Sequence, residues 1–140
     1  QFVIQKYKKC KLLSIDLKEM EPIGNSYQII GDFNEKSSKD KIVTYFNEKI
    51  DLVISDMAVN TTGNKNLDSV VTGELCLEAL RFAKDQLKQS GSFISKIFMG
   101  STFNEIVGEA KLTFKETNIY KPPSSRKESK ESFIICKKLR

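Results

Sequence analysis

The sequence predicts an α/β fold built on an open, mostly parallel sheet with an antiparallel last strand. Three observations carry this. Short apolar runs of strand character alternate with segments of helical apolar spacing along most of the chain. Three of those runs are followed at once by an aspartate, Asp16, Asp32 and Asp56. The last two strand-like runs are joined by a loop with no helix, and a parallel crossover needs about a dozen residues, usually helical, so this pair is expected to be antiparallel.

The elements follow in order. "KLLSID" (Lys11–Asp16) reads as a strand ending in an acid, and "SYQIIGDF" (Ser26–Phe33) as a second strand, again ending in an acid. "SSKDKIVTYFNEK" reads as a short helix carrying apolar Ile42, Val43 and Phe46, capped near Ser37 or Ser38. In "DLVISDMAVN", Leu52 to Ser55 read as a buried strand with Asp56 at its mouth. "NLDSVVTGELCLEALRFAKDQLKQSG" reads as a long amphipathic helix. Its apolar face includes Leu75, Leu77, Ala79, Leu80, Phe82, Ala83 and Leu87, and Gly91 is its stop signal. "SFISKIF" is a strand, "TFNEIVGEAKL" a helix, and "FKETNIY" and "SFIICKK" are the last two strands. An antiparallel last strand on such a sheet makes it a Rossmann-like variant. There is no internal repeat and no low-complexity segment.

The 140 residues suffice for one domain with a real core, and a single domain over 1–140 is expected. Hydrophobic residues at 39% and charged residues at 29% fit an ordinary globular protein. No apolar run approaches the ~20 residues of a membrane span, so no membrane partner is expected. The opening "QFVIQKYKKC" has no initiator Met and no small-residue cleavage site, and reads like the inside of an element. The chain is therefore expected to begin within a longer protein. Cys10, Cys76 and Cys136 are odd in number and widely spaced, which points away from a disulfide framework or zinc site and towards a reducing, cytoplasmic compartment. With no histidine, Ser-His-Asp and Cys-His chemistry and His metal ligation are excluded. Proton transfer must then use Asp, Glu, Lys, Tyr or Cys, and no metal is expected.

The net charge of +5 is unevenly placed. From Lys121 to Arg140 seven cations face two acids, so that stretch alone carries +5 and residues 1–120 are neutral. A neutral body with a basic end suggests a polyanion partner; the alternative is a solvated tail.

In open α/β sheets, ligands sit beyond the carboxyl ends of the strands, where Asp16, Asp32 and Asp56 all stand. An acid after the second strand suits the ribose hydroxyls of an adenosine cofactor, and one after the next can accept from an adenine amino group. The alternative is that aspartate is simply common in turns and at helix starts. Lys96 lies inside "GSFISKIFMG", a strand expected to be largely buried, where an unpaired lysine is rare. It is either an edge-strand or snorkelling lysine, or a functional one desolvated among carboxylates.

"SIDLKEMEPI", "GDF", "DLVISDMAVNTTGN", "GSFISKIFMG" and "KPPSSRKESKESFI" together resemble the FtsJ-type ribosomal RNA large-subunit 2′-O-methyltransferases, in order and over nearly the whole chain. The resemblance implies a methyltransferase sheet, S-adenosylmethionine as cofactor, and ribosomal RNA of the large subunit, at a uridine, as substrate. It places three members of the family's Lys-Asp-Lys-Glu tetrad at Asp56, Lys96 and Glu131. It makes Asp16, Asp32, Phe33 and Asp56 cofactor contacts, and Arg126, Lys127 and Lys130 RNA contacts. The enzyme is expected to be a monomer. The family's first strand, glycine-rich loop and first tetrad lysine have no counterpart here, and the opening resembles the helix that follows that loop. A transfer RNA or messenger-RNA-cap ribose methyltransferase, a non-catalytic RNA-binding module and a nicotinamide-dependent oxidoreductase remain as other readings. Nothing in the chain supplies a hydride-transfer site for the last.

Overall fold

The computed structural model describes residues 11–16, 26–56, 65–98, 100, 102–121 and 131–140, with side chains described for all of these except 65–69, 98 and 131. The chain forms two compact units, residues 1–48 and 49–140, each with its own sheet.

In the first unit, β1 (Leu13–Asp16) and β2 (Tyr27–Ile30) pair in parallel, with Asp16 opposite Ile30. The Gly31 N–H donates to the Asp16 carbonyl at 2.9 Å, one step past β2. The strand expected through Phe33 stops at Ile30 because Asp32 turns the chain. Its Oδ1 accepts the Asn34 N–H at 2.9 Å and its carbonyl accepts the Glu35 N–H at 3.0 Å. Such a side-chain-to-backbone bond competes with strand pairing. Helix α1 (Lys36–Phe46) follows at once. The cap expected at Ser37 or Ser38 is overturned. Glu35 is the N-cap, without a side-chain capping bond, and Ser38 is buried inside the helix. The turn at Asp32 already winds the chain, so the helix starts before either serine. It ends where Asn47 takes a left-handed conformation (φ 52°) and donates its N–H to the Val43 carbonyl at 2.9 Å. Of the expected apolar residues, Ile42 is buried, Phe46 half-buried and Val43 exposed. Tyr27 and Tyr45 stack with centroids 4.7 Å apart.

In the second unit the sheet order is β3 (Ile50–Ser55), β4 (Leu87–Phe98), β6 (Glu131–Leu139), β5 (Phe114–Tyr120). Helix α2 (Lys65–Gln86) connects β3 to β4, and α3 (Phe103–Thr113) connects β4 to β5. β3 and β4 are parallel, and β6 is antiparallel to both β4 and β5. Three strands therefore run one way and only β6 opposes them, as the loop before it predicts. The sequence does not reveal that β6 inserts between β4 and β5.

α2 is shorter than its apolar pattern. Leu87 already pairs with Ile50, and Ser92 pairs with Leu52, so residues 88–91 bulge opposite Asp51. Gly91 serves that bulge rather than a helix stop. A Cβ there would lie 3.0 Å from the Lys88 carbonyl oxygen and 3.1 Å from that of Asp51. β3 also departs from expectation: Ile50 and Ser55 are buried, but Leu52 and Ile54 are exposed. Among the described residues β3 is the outer strand of its sheet, with no described strand beside it on one side.

The core of this unit is apolar and tight. Leu77, Ala79, Leu80 and Ala83 of α2, Phe93 and Ile97 of β4, Ile106 and Ala110 of α3, Phe114 of β5 and Ile134 of β6 are all buried. The rings of Phe93 and Phe114 lie parallel at 6.4 Å. α2 meets the start of α3 at Gly73, where a Cβ would fall 2.0 Å from Thr102 Oγ1. Cys76 and Cys136 are buried thiols in the same core. Burial pushes the Cys136 thiol up from its ordinary 9.0 to about 12; the Thr117 hydroxyl opposes this in part, and the Cys76 thiol adds to it. Burial also raises Cys76, with the Ser95 hydroxyl beside it opposing. Thr117, opposite Cys136 in the β5–β6 ladder, has a buried hydroxyl with no full hydrogen bond among the described residues.

Candidate active site

Parallel pairing sets the geometry of the site. Ser55 of β3 lies opposite Ser95 of β4, and the next residue on each chain is Asp56 and Lys96. The register therefore brings carboxylate and ammonium side by side at the carboxyl end of the sheet, with Lys96 Nζ 2.8 Å from Asp56 Oδ1. The Lys96 side chain is 20% exposed and that of Asp56 61%. β4 lies between two other strands, so the edge-strand reading of Lys96 fails. Its stem is largely covered while its charged head reaches the open strand ends. An ion pair this open contributes no more than about 1 kcal/mol to stability. Folding therefore gives little reason for a charge at the end of an interior strand; chemistry gives a better one.

Glu131 opens β6, and its backbone pairs with Phe98, two residues beyond Lys96, whose own partner is Phe133. The glutamate backbone thus enters the same end of the sheet. The side chain of Glu131 lies outside the described ones.

Two residues beside the pair escape the sequence reading. Ser55 and Ser95 are both buried, and Ser95 Oγ donates to the Lys96 carbonyl at 3.1 Å. By strand alternation the Ser95 side chain points to the opposite face from that of Lys96, and its hydrogen bond ties the backbone at Lys96. The available signal is the shared dipeptide pattern, a serine directly before Asp56 on one strand and directly before Lys96 on the other.

In the first unit, Asp16 and Asp32 stand at the carboxyl ends of the paired strands β1 and β2, as expected. Asp16 is exposed and Asp32 half-buried. Asp32 is also a turn residue, so the structural reading of it holds, but its carboxylate gives only one described bond to Asn34. A carboxylate has about four acceptor sites and no donor, so the remaining ones suit hydroxyl or amino donors of a ligand. Phe33 is half-buried beside it, with Lys39 Nζ 5.2 Å from its ring centroid. The proposed RNA contacts Arg126, Lys127 and Lys130 lie outside the described residues.

The basic stretch from Lys121 to Arg140 is not one feature. β5 ends at Tyr120 and β6 begins at Glu131, both at the site end of the sheet, while Lys137, Lys138 and Arg140 stand at the opposite end of β6. The second group is no solvated tail. Lys137 and Lys138 belong to β6, and Arg140 donates its backbone N–H to the Thr113 carbonyl at 2.9 Å. Among the described residues, no three His, Cys, Asp or Glu side chains are grouped to hold a metal ion. No described helix is long and apolar enough to cross a membrane.

Known proteins share this sequence and fold. The ribosomal RNA large subunit methyltransferase E of Pelagibacter ubique (strain HTCC1062) is 56% identical over 140 residues, covering 100% of this chain and 69% of that protein. The protein of the same name from Rickettsia akari (strain Hartford) is 44% identical over 126 residues, covering 90% of this chain and 56% of the relative. A Plasmodium falciparum crystal structure described as a ribosomal RNA methyltransferase superposes with a TM-score of 0.84 at 29% identity, over 98% of this chain and 78% of that one. A Streptococcus mutans protein, solved in complex with SAH, shares the fold alone at a TM-score of 0.56 and 15% identity, over 92% of this chain and 72% of that one. The FtsJ-like methyltransferase family profile matches residues 1–139, virtually every position from the first to the last, and the chain belongs to that family.

Proposed function

We propose that this chain carries the catalytic residues of an enzyme that methylates a ribose 2′-hydroxyl, that of a uridine, in large-subunit ribosomal RNA, with S-adenosylmethionine as donor. The observation that carries the reading is the contact between Lys96 and Asp56 at the mouth of two parallel strands. Bound S-adenosylmethionine supplies an electrophilic methyl group. A ribose 2′-hydroxyl is a weak acid and needs a group that orients its oxygen and takes its proton. Asp56 holds the Lys96 head at the open end of the sheet, within reach of solvent and of a substrate. The 2′-hydroxyl proton would pass to Lys96 once its amine has released its own proton to solvent, and Asp56 would hold the ammonium that results. Glu131, entering the same strand ends, completes the polar set.

The acceptors Asp16 and Asp32 suit the cofactor's ribose hydroxyls and adenine amino group, since both are donors and a carboxylate only accepts. Phe33 offers an aromatic face beside Asp32. Arg126, Lys127 and Lys130 would contact RNA phosphates, positioning the strand rather than reading its sequence. The test is methyl transfer from labelled S-adenosylmethionine to large-subunit RNA and particles by the full-length protein, with nucleoside analysis of the product. A 2′-O-methylated ribose is the expected result. Label on a base, or on transfer RNA or a cap and not on ribosomal RNA, would overturn the reading.

A further inference from the structure

We propose a second RNA-docking surface at the end of the four-stranded sheet opposite the Lys96–Asp56 pair, which takes the phosphate backbone of a folded RNA segment remote from the target ribose. The proposal rests on the RNA methyltransferase reading above. Four segments meet at this end. Gln89 donates its side-chain amide to the Leu139 carbonyl. Arg140 Nε donates to the Lys111 carbonyl at 2.7 Å, and Lys49 Nζ to the Asp85 carbonyl at 2.5 Å. Lys88 pairs with Asp51 across the β3–β4 bulge at 3.0 Å.

Charge makes this end distinctive. Segments 49–51, 84–91, 111–116 and 137–140 hold eight cations and three carboxylates, an excess of five that equals the net charge of the whole chain. Two of the carboxylates are already paired, Asp51 with Lys88 and Glu116 with Lys138. Six cations have no ion-paired carboxylate among the described residues. Arg140 is held through its Nε and its backbone, which leaves the two terminal nitrogens of its fork as donors. Lys111, Lys115 and Lys137 are exposed around it. Concentrated like charge on fixed backbone segments is the footprint of a polyanion partner.

RNA fits better than an anionic membrane. Leu112 is the one large apolar side chain exposed in these four segments, and surface-bound membrane proteins bury several. The distance fits a second RNA segment rather than the target strand itself. Lys96 pairs with Phe133, and from there to Leu139 β6 advances six residues, about 20 Å at ~3.4 Å each. Phosphates docked here therefore lie well away from the nucleotide at Lys96.

The experiment compares wild type with Lys111→Gln/Lys115→Gln/Lys137→Gln in the full-length protein. None of these side chains makes a described hydrogen bond or ion pair, and the single variant Lys115→Glu provides a milder check. Affinity is measured over a salt series for intact large-subunit RNA, for a short oligonucleotide around the target, and for vesicles containing phosphatidylserine. The triple variant should bind intact RNA about tenfold more weakly with a salt slope reduced by roughly 2. It should bind the oligonucleotide like wild type, and Lys115→Glu should show a smaller effect in the same direction. Unchanged affinity and slope on intact RNA would overturn the proposal. So would an equal loss on the oligonucleotide, or a loss confined to vesicles. Wild-type methyl transfer, assayed alongside, separates the two readings. Failure to methylate RNA sinks the proposed function, whereas normal methylation with unaltered variant binding sinks only this surface.

Discussion

Lys96 Nζ and Asp56 Oδ1 meet at 2.8 Å because β3 and β4 run parallel with Ser55 opposite Ser95, which brings the next residue of each strand level with the other. The contact is open on the Asp56 side, so it matters little for folding. Lys96→Met keeps the stem and removes the charge. It should shift the unfolding midpoint by no more than a few degrees while lowering methyl transfer by at least about a hundredfold. Lys96→Arg should fail as well, because a planar guanidinium stays protonated and places its donors differently. Single-turnover methyl transfer and thermal unfolding on the same samples check this. Near-normal turnover in the arginine variant would remove Lys96 from the proton-accepting role.

The buried thiols set an alkaline limit on stability. Cys136 is raised by burial to about 12 and Cys76 is raised above its ordinary 9.0, while the unfolded chain titrates both near 9.0. Below pH 9 both states keep their protons and the thiols add no pH dependence. As pH rises from 9 towards 12, the unfolded state releases protons that the folded state retains, so stability falls. Denaturant unfolding from about pH 8 to about pH 11 should show this decline. Part of it should vanish in Cys76→Ala/Cys136→Ala, which separates the thiols from tyrosine and lysine titration. Identical slopes in the two proteins would refute the assignment.

Gly73→Ala tests the junction of α2 and α3. In an open helix the change would gain about 1 kcal/mol from propensity. Here the new methyl would lie 2.0 Å from Thr102 Oγ1 and 2.7 Å from its Cβ. Overpacking of this kind costs about 1–3 kcal/mol, so the net effect should be destabilising. Adding Thr102→Ala removes the Oγ1 and Cγ2 contacts but leaves Cβ, so part of the loss should return. Denaturation of the four proteins of this cycle gives the coupling, and strict additivity would argue against the contact.

Asn47 closes α1 in the left-handed region at φ 52°. Glycine adopts that conformation without a Cβ penalty, whereas alanine pays about 1–2 kcal/mol. Asn47→Gly should therefore leave stability equal or slightly raised, and Asn47→Ala should lower it by about 1 kcal/mol. Unfolding curves that move both variants in the same direction by similar amounts would contradict the cap.

Element order and the direction of β6 were legible in the sequence because each is local or follows from loop length, whereas the grouping of Asp56 with Lys96 came from the family resemblance. The family resemblance rested on motifs spread over the whole chain, and the family match bears it out. Other features were hidden because they depend on distant partners. Leu87 continues the apolar face of α2, yet Ile50 draws it into β4. Ser37 and Ser38 look like caps until Asp32 starts the turn ahead of them. Leu52 and Ile54 have the composition of a buried strand, yet both are exposed where β3 is the outer strand among the described residues. The division of the basic stretch between two ends of the sheet follows from the length of β6, which charge counting alone does not register.

The insertion of β6 between β4 and β5 has a consequence for biosynthesis. β4 and β5 share no ladder; each is hydrogen-bonded to β6, which is translated after both. Until residues 131–139 emerge from the ribosome, β5 has no sheet to join and β4 presents an unpaired edge. Non-local closure of this kind is slow, and exposed edges invite wrong pairings. A nascent chain stalled before β6 should be readily cut by protease across β5, and release of a few more residues should protect it. The order of translation thus makes this strand the latch of its unit.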